Sequence, residues 1–200
     1  RLADLAGSEE RELRKELPQV ARRAFGPEAA ALGVFPQEGD TPEQRYLRPA
    51  LIRVVAGAGA DPELRVQCRE RVTQWLASPS APDDALRAAL EITAEEGGRS
   101  LYRQLEAVAR VTDGDETRTA VFAALGAFRR RGPARAALRL LLEPGVAPRE
   151  SAVLLSSMFG SPEGRERACR FVRENESPLH GRWPQDLARA AHSACVSPGW

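Results

Sequence analysis

The stretch "TPEQRYLRPALIRVVAGAG", residues 41–59, decides the fold class of this chain. Thr41, Pro42 and Gln44 form a capping-box pattern with proline in the first helical position, which predicts a helix start. Glycines at positions 57 and 59 predict its end. Between them, apolar residues recur at i, i+3, i+4, i+7 and i+8, the spacing of one buried helical face: Leu47, Ala50, Leu51, Val54 and Val55.

The same pattern recurs along the rest of the chain. Asp61 and Pro62 predict the start of another helix, and further apolar stripes with helical spacing follow. No segment of similar length alternates with period two, so no sheet is predicted. A succession of short helices predicts an all-α protein, an α-solenoid of antiparallel helix pairs with a HEAT/armadillo-like superhelix. Apolar stripes within residues 86–93 and 101–111 predict helices that end at Gly97-Gly98 and Asp113-Gly114, and stripes within residues 121–128 and 134–141 predict two more. Three further helices are predicted over residues 148–159, 162–174 and 184–197.

The chain is expected to form one helical-repeat domain over residues 1–200, with a less regular leading segment at residues 1–40. Pro18 is expected to interrupt the first helical stripe, because proline lacks the amide donor that a helix interior needs. The stretch "GVFPQEGD", residues 33–40, is predicted to be an exposed connector because its glycines and proline are turn signals.

Charge and hydropathy argue against two kinds of partner. The 29 basic and 28 acidic residues give a net charge of +1 and form no long single-sign block, so nucleic-acid binding is not expected. The arginines of "FRRRG", residues 128–132, are interpreted as a solvated helix end. No apolar run approaches the ~18 residues of a membrane span, and no signal peptide is seen, so we expect no membrane span in this chain. A cytoplasmic location is predicted, with a secreted or membrane-anchored parent protein as the alternative.

The three cysteines and two histidines offer little chemistry. Cys68, Cys169 and Cys195 are widely spaced in a chain too large to need disulfides, so three buried thiols are expected. His180 and His192 do not stand in an H-E-x-x-H pattern and are interpreted as surface residues rather than a metal pair. No P-loop, G-x-G-x-x-G or G-x-S-x-G motif is present. The sequence therefore assigns no catalytic, cofactor-binding or metal-binding residue to this chain.

Four stretches carry a resemblance to a known family. They are residues 33–55, 69–76, 119–142 and 161–175, the last being "SPEGRERACRFVREN". In their order and spacing, residues 41–183 resemble the C-terminal helical region of the gluzincin zinc aminopeptidases, which include aminopeptidase N and the puromycin-sensitive and endoplasmic-reticulum aminopeptidases. The resemblance implies that Gly164 is the family's glycine, kept because a neighbouring helix approaches the first turn of its own helix. Cys169-Arg170 departs from the family, which usually has tryptophan near this place.

The resemblance also implies a function. It implies a non-catalytic C-terminal domain that shapes the peptide chamber and supports domain closure, with zinc and the removal of N-terminal residues belonging to a catalytic domain outside this chain. That catalytic domain and the peptide substrate are the expected partners. Arg53, Arg99 and Arg129 are candidates for contact with a peptide carboxylate, each otherwise solvated. The alternative hypothesis is a free-standing HEAT-like scaffold that binds a protein partner.

Overall fold

The computed structural model of the protein describes the backbone of residues 2–196 and the side chains of residues 15–196. Every regular element in that range is helical and no strand occurs there, which confirms the predicted all-α class. The helices are α1 (Leu2–Leu32), α2 (Pro42–Leu51), α3 (Pro62–Ala77), α4 (Asp84–Glu96), α5 (Arg99–Val111), α6 (Asp115–Ala127), α7 (Arg131–Leu140), α8 (Pro148–Phe159), α9 (Pro162–Glu174), α10 (Glu176–His180) and α11 (Gln185–Val196). None of the helices in the described range is long and apolar enough to cross a membrane.

The chain divides into two compact units. The first extends to Trp75 and includes Asp83–Ile92, and the second comprises Leu76–Pro82 and the chain from Thr93 onward. This division does not test whether residues 1–200 form one domain, so the single domain remains a prediction.

The leading segment of the first unit is more regular than expected. Helix α1 continues through both Pro18 and Pro27, so the predicted interruption at Pro18 is wrong. A proline in a helix interior costs about 3 kcal/mol, but tertiary packing can hold the turns on either side of it. Here Ala21 and Ala29 are buried, and α1 packs along the π-helical segment Ile52–Ala58 that continues α2.

Two arginines anchor the connector at residues 33–40. Arg48 donates to the carbonyl of Leu32 at 3.3 Å and forms an ion pair with Asp40 at 2.7 Å, and Arg71 donates to the carbonyl of Val34. Val34 is fully buried, whereas residues 36–39 are exposed. The prediction of an exposed connector is therefore confirmed for residues 36–39 and wrong for Val34. Burial of Val34 is possible because the Arg71 guanidinium group satisfies its carbonyl.

The capping box that opens α2 is present as predicted. The amide of Thr41 donates to the side chain of Gln44 at 2.9 Å, and the amide of Gln44 donates to the Thr41 hydroxyl at 3.3 Å. The π-helical segment that continues α2 ends at Ala58, within the glycine-containing stretch, where Arg65 donates to the carbonyls of Ala56 and Gly57. The start and end read from the sequence are thus confirmed.

In the second unit the odd-numbered helices contact one another in chain order. Helix α5 contacts α7, α7 contacts α9 and α9 contacts α11, while α6 packs extensively on α8. Gly126 allows that last pair to approach closely, because a Cβ at this position would overlap the carbonyl oxygen of Leu154 and lie 2.8 Å from the Ser157 Cβ. The second unit therefore contains a series of neighbouring odd-numbered helices, α5, α7, α9 and α11, and the closely packed pair α6 and α8.

Arg118 on α6 fixes two of the interhelical turns. It donates to the Glu150 carboxylate at 3.0 Å, to the Gly145 carbonyl at 3.3 Å and to the Ala109 carbonyl near the end of α5. Glu150 is only 7% exposed, so its charge needs this partner. One guanidinium thus satisfies groups from the α5–α6 turn and the α7–α8 turn.

Gly164 lies where another backbone passes. Ser161 caps α9 by accepting a hydrogen bond from the Gly164 amide at 3.1 Å. A Cβ on Gly164 would lie 2.7 Å from that hydroxyl and would overlap the carbonyl oxygen of Met158 in the last turn of α8. The expected close approach of a neighbouring helix is confirmed, and it explains why glycine is kept in a position where it costs about 1 kcal/mol in helix propensity.

Two of the three cysteines form a disulfide, so the expected set of three thiols is wrong. Cys169 on α9 and Cys195 on α11 are bonded, with their Cα atoms 5.3 Å apart and 26 positions apart in sequence. The two helices pack side by side, which the spacing of the cysteines in the sequence does not reveal. Cys68 is a buried free thiol, as expected.

Candidate functional site

The surface of the second unit carries a cluster of arginines on three neighbouring helices. A groove of about 540 Å³ between α5 and α7 is lined by five of them, and a groove of about 490 Å³ between α7 and α9 shares two and adds two more. We call these residues the arginine face: Arg99, Arg103, Arg131, Arg135, Arg139, Arg167 and Arg170.

The amphipathic pattern of α5 and α7 places these side chains outward. On α5, Arg99 and Arg103 are four residues apart, and on α7 the three arginines recur at the same interval, so each set lies along one helical face. The opposite faces are buried by residues that include Leu105 on α5 and Ala134 and Leu138 on α7. Burial of the apolar stripe therefore fixes the direction of the arginines.

The α5–α7 groove carries positive charge on side chains that form no ion pair. None of its five guanidinium groups forms an ion pair or a hydrogen bond with the residues that the structure describes, and all five arginines are exposed. Its one acidic residue, Glu106, is paired with Arg110 at 2.8 Å. The Tyr102 phenol also lines the groove, and burial raises its pKa, so this group stays neutral. The groove is therefore suited to an anion.

The α7–α9 groove is more nearly balanced. Arg170 is paired with Glu166 at 2.5 Å, and Arg167 donates to the backbone carbonyl of Arg129 at 3.0 Å. The free positive charge of the arginine face is thus concentrated on α5 and α7.

The three arginines proposed from the sequence lie in different surroundings. Arg99 lines the α5–α7 groove. Arg129 is ion-paired with Glu95 at 2.8 Å, and Arg53 in the first unit is paired with Glu91 at 3.5 Å. The structure therefore supports one of these candidates as a free cation and gives the other two a carboxylate partner.

Both histidines line a third groove, of about 750 Å³, formed around α10 and α11. His180 lies 3.6 Å from Glu176, and both histidines are exposed, which agrees with their interpretation as surface residues. Across the described residues, no group of three or more histidine, cysteine or acidic side chains is placed to hold a metal ion.

Sequence reasoning missed four members of the α5–α7 groove: Arg103, Arg131, Arg135 and Arg139. A signal for them exists in the recurrence of arginine every four residues on the polar faces of α5 and α7. What the sequence could not provide is that α5 and α7 are neighbours, because residues 112–130 separate them along the chain.

These features define a class of protein, an all-helical domain whose most distinctive surface is an arginine-lined groove. Comparison with known protein families then identifies the family within this class. The family described as the ERAP1-like C-terminal domain matches residues 1–197, so the chain belongs to that family. The resemblance found in residues 41–183 is thereby confirmed and extended. A sequence comparison with curated proteins finds no match.

Proposed function

We propose that this chain is the non-catalytic C-terminal domain of a zinc metallo-aminopeptidase, in which it shapes the peptide chamber and supports domain closure. The zinc ion and the removal of N-terminal residues from peptides would belong to a catalytic domain elsewhere in the parent protein. Membership of the ERAP1-like family supports this proposal, since that family takes its description from the C-terminal domain of such enzymes. The alternative, a free-standing scaffold, is not favoured by the family match.

We further propose that the helices form a HEAT-like solenoid. Support comes from the second unit, where α5, α7, α9 and α11 contact one another in succession and α6 packs on α8, as the helices of stacked pairs do. In such an array α5, α7 and α9 form one continuous layer, and the arginine face lies along it. A layer of this kind suits the wall of a chamber because it presents a long surface from one rigid set of helices.

The observation that carries the proposal is the unpaired positive charge of the α5–α7 groove. Arginine pairs with a carboxylate through two parallel hydrogen bonds, and every peptide ends in a carboxylate. A groove with five exposed, unpaired arginines therefore suits contact with the distal end of a long peptide. The proposal expects a short substrate held at the catalytic centre to end before it reaches this groove.

The test compares long and short substrates in the full-length parent enzyme. Arg135→Gln should raise KM for peptides of about ten residues roughly two- to five-fold, the value of an exposed ion pair. Its effect on an aminoacyl-anilide should be negligible. Arg173→Gln is the matched control, because Arg173 is also an exposed arginine but lines neither groove of the arginine face. Equal effects on both substrates, or no effect on the long peptide, would contradict the proposal.

The 200-residue chain alone offers a second test. It should release no product from an aminoacyl-anilide even with zinc added, and sustained turnover would show that the chemistry lies in this chain.

The cytoplasmic location predicted from the sequence stays a prediction. The Cys169–Cys195 disulfide weighs against it, because disulfides persist mainly in oxidising compartments.

A further inference from the structure

Resting on the proposed function, we infer that the α5–α7 groove selects acidic peptides, and that it binds them in extended form with carboxylates at every second residue. This goes beyond capture of a peptide terminus, because it assigns a side-chain preference to the groove and a spacing to that preference.

The first argument is the amount of unpaired charge. A peptide terminus brings one carboxylate, whereas five arginines of the groove have no acidic partner among the described residues. The single glutamate in the groove is already paired with Arg110. Acidic side chains on the bound peptide would neutralise the remaining arginines, and a neutral or basic peptide would leave like charges facing one another.

The second argument is the spacing of the arginines on α7. Arg131, Arg135 and Arg139 are four residues apart, and a helix rises 1.5 Å per residue, so they recur about every 6 Å along the axis. In an extended peptide, side chains on one face recur every second residue, about 6.6 Å apart. Glutamate or aspartate at alternate positions of an extended peptide therefore matches the axial spacing of successive arginines on α7.

The third argument separates a peptide from other anions. A single phosphate is held best by groups that converge on one point, whereas the α7 arginines are spread along a line. Single-stranded nucleic acid is usually bound by exposed aromatic rings on which bases stack. The only aromatic residue lining the α5–α7 groove is Tyr102, which is 8% exposed. An acidic peptide fits these features better than a nucleic acid does.

The experiment measures binding of fluorescein-labelled ten-residue peptides to the 200-residue chain by fluorescence anisotropy at low salt. One peptide carries four glutamates at alternate positions, a second carries glutamine at those positions, and a third carries the four glutamates consecutively. We expect the alternating peptide to bind at least about ten-fold more tightly than the glutamine peptide, and several-fold more tightly than the consecutive one.

Substitutions locate the binding. The double variant Arg135→Gln/Arg139→Gln should weaken binding of the alternating peptide about five- to ten-fold, given two exposed ion pairs lost. Arg173→Gln should leave binding unchanged. Circular dichroism of each variant checks folding, which should be preserved because Arg135 and Arg139 are exposed and unpaired.

Each other outcome contradicts the inference. Equal affinity for the alternating and consecutive peptides would refute the spacing, and equal affinity for the glutamine peptide would refute acidic selectivity. An oligothymidylate of the same charge that binds as tightly as the alternating peptide would show a general polyanion or nucleic-acid surface. If these binding tests fail while Arg135→Gln still raises KM for long peptides in the parent enzyme, the inference is wrong and the proposed function stands.

Discussion

Reduction of the Cys169–Cys195 disulfide should lower the free energy of unfolding of the second unit by about 3.5 kcal/mol at 25 °C. The bond closes a loop of 26 positions, and the loop-entropy relation for that length gives an entropy change of about 12 cal/mol/K. Few other contacts fix α11 in place. Ala191 is its only buried residue among those described, and the Arg165 side chain donates to its Ala194 carbonyl at 3.1 Å.

The assay is urea unfolding followed by circular dichroism, with and without dithiothreitol. The variant Cys195→Ser without reductant should match the reduced wild-type protein, and dithiothreitol should not destabilise that variant further. A titration of thiols in urea without reductant gives an independent check, since only Cys68 should react. Three reactive thiols, or a loss below about 1 kcal/mol on reduction, would refute the reasoning.

Three further predictions concern other parts of the chain. Gly164→Ala should destabilise the protein by about 1–3 kcal/mol, because the added methyl group overlaps the α8 backbone. Gly26→Ala should stabilise it by up to about 1 kcal/mol, because a Cβ at this position meets no atom within 4 Å. Equal urea unfolding midpoints for the two variants would contradict this. The hydrogen bond from Arg48 holds the pKa of Asp40 below its usual value. The ionised Asp40 carboxylate therefore stabilises the folded protein at neutral pH, and this contribution is lost as pH falls below about 4. Asp40→Asn should remove this part of the acid dependence in unfolding measured from pH 7 to pH 2, and an unchanged slope would argue against it. Burial raises the pKa of the Cys68 thiol to about 12, so iodoacetamide at pH 8 should modify it only after unfolding, as mass spectrometry would show.

Local signals in the sequence were sufficient for the fold class. The capping box at Thr41 and Gln44 is formed as predicted, because it depends on residues within one helical turn. Pro18 shows the limit of local reasoning. Its unfavourable helix propensity is outweighed by packing of α1 against the π-helical segment, which lies more than thirty residues further along the chain.

The candidate site was only partly predictable for the same reason. Sequence reasoning selected Arg99 because arginine suits a carboxylate, but it also selected Arg53 and Arg129, whose carboxylate partners come from α4. Whether an arginine is free depends on which helices become neighbours, and residues on one helix do not carry that information. The disulfide was missed for the same reason, because the sequence does not show that α9 and α11 are neighbours.

The contacts of Arg118 bear on how readily the α5–α7 groove can admit a ligand. Arg118 reaches the Ala109 carbonyl on α5 and the Gly145 carbonyl beyond the end of α7, and Arg110 pairs with Glu143 at 3.1 Å across the same gap. These cross-links hold the two walls at a set width at their C-terminal ends before anything is bound. The α5–α7 groove is therefore preorganised, and the affinity for a ligand would not be reduced by a cost of assembling the groove.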